Sequence, residues 1–155
     1  MTVMDVAASI LSKRGPMTAM KLQKLVYYAQ AWSLVWDDRP LFAEPIQAWA
    51  NGPVCPALYA AHKGRFQLNA GDLNGDPTAL DGQAIETVDA VLDAYGDRTS
   101  QWLSDLTHME APWKDARQGT PEGASSNAEI SHAAMAEYYG GLDASAVRLD
   151  ANVDG

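Results

Sequence analysis

The stretch Lys21–Trp36 reads KLQKLVYYAQAWSLVW and decides the predicted fold. Its apolar residues recur at helical spacing and mark one face of a helix. That face comprises Leu22, Leu25, Val26, Ala29, Trp32 and Trp36, with Ser33 among them. Lys21, Gln23 and Lys24 are on the opposite side. Thr18 can cap the start of the helix, and the turn signal DDRP ends it. The pattern therefore predicts one long amphipathic helix.

The segment Leu41–Ala50, which follows this helix, predicts a short strand. Pro45 excludes a helix interior, and apolar residues alternate with Gln47 and Trp49 from Ile46 onward. The tripeptide NGP at 51–53 is a strong turn signal, since its glycine can take positive φ and its proline fixes the next step. A small antiparallel hairpin is therefore expected here, with Gly52 and Pro53 as structural residues.

Helical patterns occupy most of the remaining chain. One helix runs from about Thr2 to Gly15-Pro16, and a short one starts at Pro56. Three more helices are expected to be capped by Asp81, Ser100 and Ser131. The fold class predicted is mainly α, a compact single-domain helical bundle with one or two short β-strands in a small antiparallel hairpin. The domain is expected to span residues 1–142, and residues 143–155 form an acidic tail that is expected to be flexible.

Composition excludes several classes of function. The chain has 155 residues, 47% of them hydrophobic and 20% charged, which is typical of one globular domain. Its formal net charge of -9 makes nucleic acid an unfavourable partner, because phosphate attraction needs clustered Lys and Arg. No apolar run is long enough to span a membrane, and no secretion signal is recognisable. Cys55 is the single cysteine, which fits a reducing compartment, and a cytoplasmic protein is expected.

The segment QWLSDLTHMEAPWKDAR (101–117) has the crowded look of an active site. Its His108 and Glu110 suggest a metal-ligand pair or an acid/base couple, but the three histidines of the chain fall on separate predicted elements and no zinc-type spacing is present. The alternative is a junction between two helices. His108 would end the first helix and donate to its last carbonyls, Glu110 or Ala111 would cap the second, and Pro112 would occupy its first turn. Trp113 would then fold back as a hydrophobic anchor. The junction is favoured, so no catalytic residue, metal or cofactor is expected.

Aromatic residues crowd the first third of the chain and pose a second question. Tyr28, Trp32, Trp36 and Trp49 exceed what one helix face and one strand face can bury. Exposed aromatic residues beside a cation such as Arg39 have the composition of a protein-binding hot spot. Peripheral packing without a partner is the other interpretation, and the residues alone leave both open.

Several blocks together resemble a known family. These are KLQKLVYYAQAW (21–32), RPLFAEPIQAW (39–49), GPVCPALY (52–59) and LTHMEAPW (106–113), in that order. They resemble the SocA-like Panacea domain, a family of antitoxins with phage-associated members. Asn51 departs from the pattern, because an aromatic residue commonly precedes Gly-Pro-Val, and this affects the surface beside Trp49.

The resemblance implies an antitoxin that neutralises a protein toxin encoded by an adjacent gene, and it implies no enzyme activity. Neutralisation by direct binding is expected, with delivery of the toxin to a ClpXP-like protease as the alternative. Self-association through the same aromatic residues stays open. The residues expected to bind the partner are Lys24, Tyr28, Trp32, Trp36, Arg39, Trp49, Asn51 and Tyr59.

Overall fold

The computed structural model describes the backbone of residues 1–154 and the side chains of residues 1–143. The helices are α1 (Val3–Arg14), α2 (Ala19–Trp36), α3 (Pro56–His62), α4 (Gly82–Tyr95), α5 (Ser100–Met109), α6 (Ala111–Ala116) and α7 (His132–Asp154). The strands are β1 (Met17–Thr18), β2 (Ile46–Trp49), β3 (Gly52–Val54), β4 (Gln67–Leu68) and β5 (Glu129–Ile130). The predicted mainly α domain is confirmed. The proposed tail, Asp143 apart, lies outside the residues described in full.

The predicted hairpin is formed by β2 and β3, which pair antiparallel with Trp49 opposite Gly52. Its turn falls at Ala50 and Asn51, one residue earlier than the sequence suggested. Sequence reasoning did not find β5, which pairs with the other edge of β2, or the small β1–β4 pair. Since β3 is an edge strand, Pro53 costs the sheet no interior hydrogen bond.

Helix α2 is the hub of the fold and contacts α1, α4, α5, α7 and β3. Because neighbours surround it, both of its faces are buried over most of its length. The prediction of an outward side was therefore wrong for Gln23 and Lys24, each about 1% exposed. Lys21 alone of the three keeps partial exposure.

Two buried glutamines on α2 form hydrogen bonds with backbone groups that lie outside the β-strands. The Gln23 side chain accepts from the Cys55 backbone N–H at 2.9 Å and donates to its carbonyl at 3.3 Å. About two helical turns further along α2, the Gln30 side chain accepts from the Leu41 N–H at 2.7 Å and donates to the Phe42 carbonyl at 2.8 Å. These bonds join α2 to the segments before β2 and α3, because buried backbone polar groups require partners.

Most of the predicted helix caps are confirmed. Thr18 accepts from the Lys21 N–H, Asp81 from the Ala84 N–H and Ser131 from the Ala134 N–H. At α5 the capping residue is Thr99 and not Ser100, since the Thr99 hydroxyl accepts from the Trp102 N–H. Among the described residues, no helix combines the length and apolar character that crossing a bilayer requires.

Candidate functional site

The segment that resembled an active site is a junction between α5 and α6, as predicted. Helix α5 ends at Met109, α6 begins at Ala111, and Pro112 occupies the first turn of α6. Trp113 is buried, and its indole N–H donates to the Trp49 carbonyl at 2.8 Å. The His108 ring stacks on the Trp113 ring with centroids 4.1 Å apart and planes 14° apart. The junction therefore fixes the end of β2 against α6.

His108 does not cap its own helix, contrary to the prediction. Its Nδ1 faces the Glu122 carboxylate at 3.4 Å. Its Nε2 is buried and has no hydrogen-bond partner among the described residues. The stacking on Trp113 turns the ring away from the last carbonyls of α5, so the imidazole faces a pocket instead.

Glu110 occupies the capping position of α6, but its side chain makes no capping hydrogen bond. The carboxylate turns inward and accepts the hydroxyls of Tyr28 at 2.6 Å and Tyr139 at 2.8 Å. Tyr27 and Tyr139 also share a hydrogen bond of 3.0 Å between their hydroxyls. Burial raises the pKa of Glu110, although the two tyrosine hydroxyls act in the opposite direction. Glu110 and the three tyrosines thus form a hydrogen-bonded network inside the core, and each of the three hydroxyls has a partner in it.

Two of the expected partner-binding residues are in the interior. Tyr28 is fully buried, and its ring stacks on Tyr95 with centroids 4.2 Å apart. Burial and the nearby Glu110 carboxylate raise the pKa of Tyr28, so its hydroxyl stays a donor. Lys24 is likewise buried, with about 1% of its surface exposed. The expectation that both face outward was wrong, because α4, α5, α7 and β3 pack around this part of α2.

Three other expected residues, Trp49, Asn51 and Tyr59, come together on one open concave surface. This surface, called the Trp49 groove, has a volume of about 780 Å³ and is lined by Met20, Gln47, Trp49, Asn51, Tyr59 and Asn127, among others. The Trp49 and Tyr59 rings meet edge to face at 5.0 Å and 69°. The Trp49 indole N–H donates to the Gln47 side chain at 2.8 Å. Both aromatic rings are thus held in fixed orientation while remaining half-buried.

Arg117 holds the far wall of the groove, and sequence reasoning missed it. The guanidinium is buried and donates to the carbonyls of Ala48 at 2.9 Å, Pro121 at 3.0 Å and Ala124 at 2.5 Å. It also lies 4.7 Å from the centre of the Trp113 ring. This cation therefore fixes the 121–124 loop that leads into the wall at 125–127. The i, i+4 spacing of Trp113 in α6 and Arg117 at its C-terminal cap was the signal available.

The remaining expected residues form a second aromatic cluster at the other end of α2. The Trp32 and Trp36 rings stack with centroids 4.9 Å apart, and Trp36 is 44% exposed. Arg39 pairs with Asp81 at 2.6 Å. At about 1.5 Å per residue, Trp36 lies about 24 Å along the helix axis from Met20 in the Trp49 groove. The eight expected residues therefore do not form one surface.

Metal-ligating side chains do not come together in the described part of the chain. No group of three or more histidine, cysteine or acidic residues there could hold a metal ion. Burial raises the pKa of the Cys55 thiol, which lowers its reactivity at neutral pH. The Trp49 groove presents two aromatic rings that neighbouring side chains hold in fixed orientation.

Comparison with known proteins adds one finding. The family model described as "Antitoxin SocA-like, Panacea domain" matches residues 22–114, more than half of the chain. The comparisons with curated proteins and with solved structures found no match to the chain. The matched range contains nearly all of α2, the β2–β3 hairpin and the helix junction at His108.

Proposed function

The chain belongs to the SocA-like antitoxin family with a Panacea domain, and we propose that it neutralises a protein toxin by binding it directly. The family match over residues 22–114 is the observation that carries this proposal. The toxin is taken to be the product of an adjacent gene. Binding alone, without a reaction, accounts for neutralisation in this proposal.

The Trp49 groove is the surface we assign to the toxin. Aromatic side chains that are rigid and half-buried lose little conformational freedom on binding and bury much apolar area. Trp49 and Tyr59 meet this description, since each ring is fixed by the other and Trp49 also by Gln47. Both walls of the groove belong to hydrogen-bonded structure, which favours a preformed site over one built on contact.

Trp49→Ala is the variant that tests the groove. We expect it to weaken toxin binding by about 2 kcal/mol or more, as for an aromatic residue at the centre of an interface, because the ring lines the groove. The loss should appear as failure to restore growth when toxin and antitoxin are co-expressed, and as failure to co-purify. The melting temperature of free Trp49→Ala antitoxin should fall only modestly, since the ring is half-buried.

Trp36→Ala is the matched control, because it removes an exposed tryptophan at the far end of α2. It should leave neutralisation intact. If Trp36→Ala abolishes binding and Trp49→Ala does not, the toxin uses the second aromatic cluster and the assignment to the groove is wrong. If the wild-type protein neither restores growth nor co-purifies with the toxin, direct neutralisation itself is wrong.

The proteolytic adaptor is separated from direct binding by the half-life of the toxin. Under our proposal the toxin is neutralised while its half-life stays the same or lengthens, with or without a ClpXP-like protease. A half-life that shortens only when antitoxin and protease are both present would establish the adaptor mechanism instead.

A further inference from the structure

A polar pocket adjoins the Trp49 groove and shares Met20 and Asn51 with it. This cavity, called the Lys24 pocket, has a volume of about 390 Å³ between α2, the β2–β3 turn and α5, and is lined by Met20, Lys24, Asn51, Ser104, His108 and Glu122, among others. It differs from the groove in its chemistry, because most of its lining side chains are polar or charged, whereas Trp49 and Tyr59 line the groove.

Lys24 contributes a buried amine without a partner. The residue is 1% exposed, and its Nζ has no hydrogen bond or ion pair within the described residues. Burial lowers the pKa of Lys24 to about 8. Buried cations are ordinarily paired, since an unpaired one loses its hydration without compensation. A ligand with a hydrogen-bond acceptor would therefore supply the partner that this amine lacks.

Two further observations indicate that polar groups facing this pocket lack partners among the described residues. Nε2 of His108 is likewise buried without a partner, and His108 lines the same cavity. Gly52 makes room for the amine, because a Cβ there would lie 2.5 Å from Cε and 3.1 Å from Nζ of Lys24. Gly52 also has φ of +124°, which side-chain-bearing residues rarely adopt. The hairpin turn is thus shaped around the lysine.

We propose that the Lys24 pocket receives a carboxylate side chain of the toxin, an inference that rests on the proposed function. A single carboxylate matches one buried ammonium in charge and forms a short, strong hydrogen bond with it. Exposed Asp105 and Glu122 also line the pocket, and they repel a multiply charged anion more strongly than a single carboxylate. The same two residues favour basic groups beside the incoming carboxylate, as does the net charge of -9.

The test compares Lys24→Met with Lys63→Met, an exposed lysine outside the pocket. Lys24→Met keeps the apolar stem and removes the unpaired amine, so the free antitoxin should melt at the same or a higher temperature. Its Kd for the toxin should rise about 10- to 100-fold, the cost of a lost charged hydrogen bond. Lys63→Met should change Kd by less than about threefold.

A double-mutant cycle identifies the carboxylate and separates binding from folding. Asp→Asn and Glu→Gln variants of the toxin are measured against both wild-type and Lys24→Met antitoxin. One toxin variant should lose affinity against wild type and lose little more against Lys24→Met. If wild type neutralises the toxin but no acidic residue couples to Lys24, the inference is wrong while the proposed function stands. Submillimolar binding of inorganic phosphate that depends on Lys24 would also overturn it, since the pocket would then serve a free anion.

Discussion

At the scale of single residues, Glu110 connects several elements of the fold through its carboxylate. Glu110 is 5% exposed and directly precedes α6. Its carboxylate accepts hydrogen bonds from hydroxyls on α2 and α7. Three helices therefore meet at one oxygen, because Tyr28 and Tyr139 donate to the same Oε1. A buried carboxylate is costly when ionised, and two hydroxyl donors offset only part of that cost.

The pH dependence of stability should reveal this cost. The pKa of Glu110 in the folded protein is raised above its ordinary value of 4.5, chiefly by burial. A raised pKa means that the folded state binds the proton more tightly than the unfolded state. The stabilisation from protonated Glu110 is thus full below about pH 4.5 and is lost as pH rises through the folded pKa. Wild type should therefore gain stability on acidification relative to Glu110→Gln, which keeps an acceptor oxygen but does not titrate.

Urea denaturation of both proteins between pH 4 and pH 7 measures this difference, and Glu137→Gln on exposed α7 surface is the control. Subtracting the variant from wild type removes the titration of the other carboxylates. The control substitution should change the free energy of unfolding by no more than about 0.5 kcal/mol. A wild-type advantage that grows as pH rises would show that the two tyrosine hydrogen bonds outweigh burial.

At the scale of the element, α2 shows what its sequence can and cannot predict. The start, the end and the cap of the helix followed from Thr18, the apolar spacing and the DDRP turn. The orientation of its polar residues did not follow, because periodicity assumes one buried face. Gln23 and Gln30 bond to backbone 32 and about 11 residues further along the chain, so their burial depends on tertiary contacts. A helix surrounded by others can bury polar groups wherever a distant segment supplies partners.

Gln30→Met tests whether these glutamines stabilise the fold. Methionine fills a similar volume but leaves the Leu41 N–H and the Phe42 carbonyl without their present partners. Each buried group without a hydrogen bond costs about 1–3 kcal/mol, so a loss of about 2–6 kcal/mol is expected. Chemical denaturation measures it, with the exposed Gln83→Met on α4 as control, expected within about 0.5 kcal/mol. Equal stabilities for the two variants would show that water replaces the lost bonds.

At the scale of the whole molecule, the candidate site was only partly predictable. The alternation around Trp49 and the proline in the α6 turn correctly placed the hairpin and the helix junction. The far wall of the Trp49 groove was not predictable, since β5 pairs with β2 across more than 80 residues of sequence. A two-residue strand carries too little pattern to be recognised alone. The Lys24 pocket depends on the same long-range assembly, because α2, the hairpin and α5 each supply one wall.

The domain boundary predicted at residue 142 can be tested by truncation. Tyr139 is fully buried, donates to Glu110 and contacts Tyr27, and it is the last core residue within the described side chains. Removing residues 144–155 should therefore leave the melting temperature within a few degrees of wild type and preserve neutralisation. Removing residues 132–155 should abolish cooperative unfolding, because losing one buried aromatic residue alone costs about 3–5 kcal/mol of a total near 5–15 kcal/mol. Calorimetry and far-ultraviolet circular dichroism distinguish the two. If the shorter deletion also loses its transition, the structural unit extends beyond the boundary predicted at residue 142.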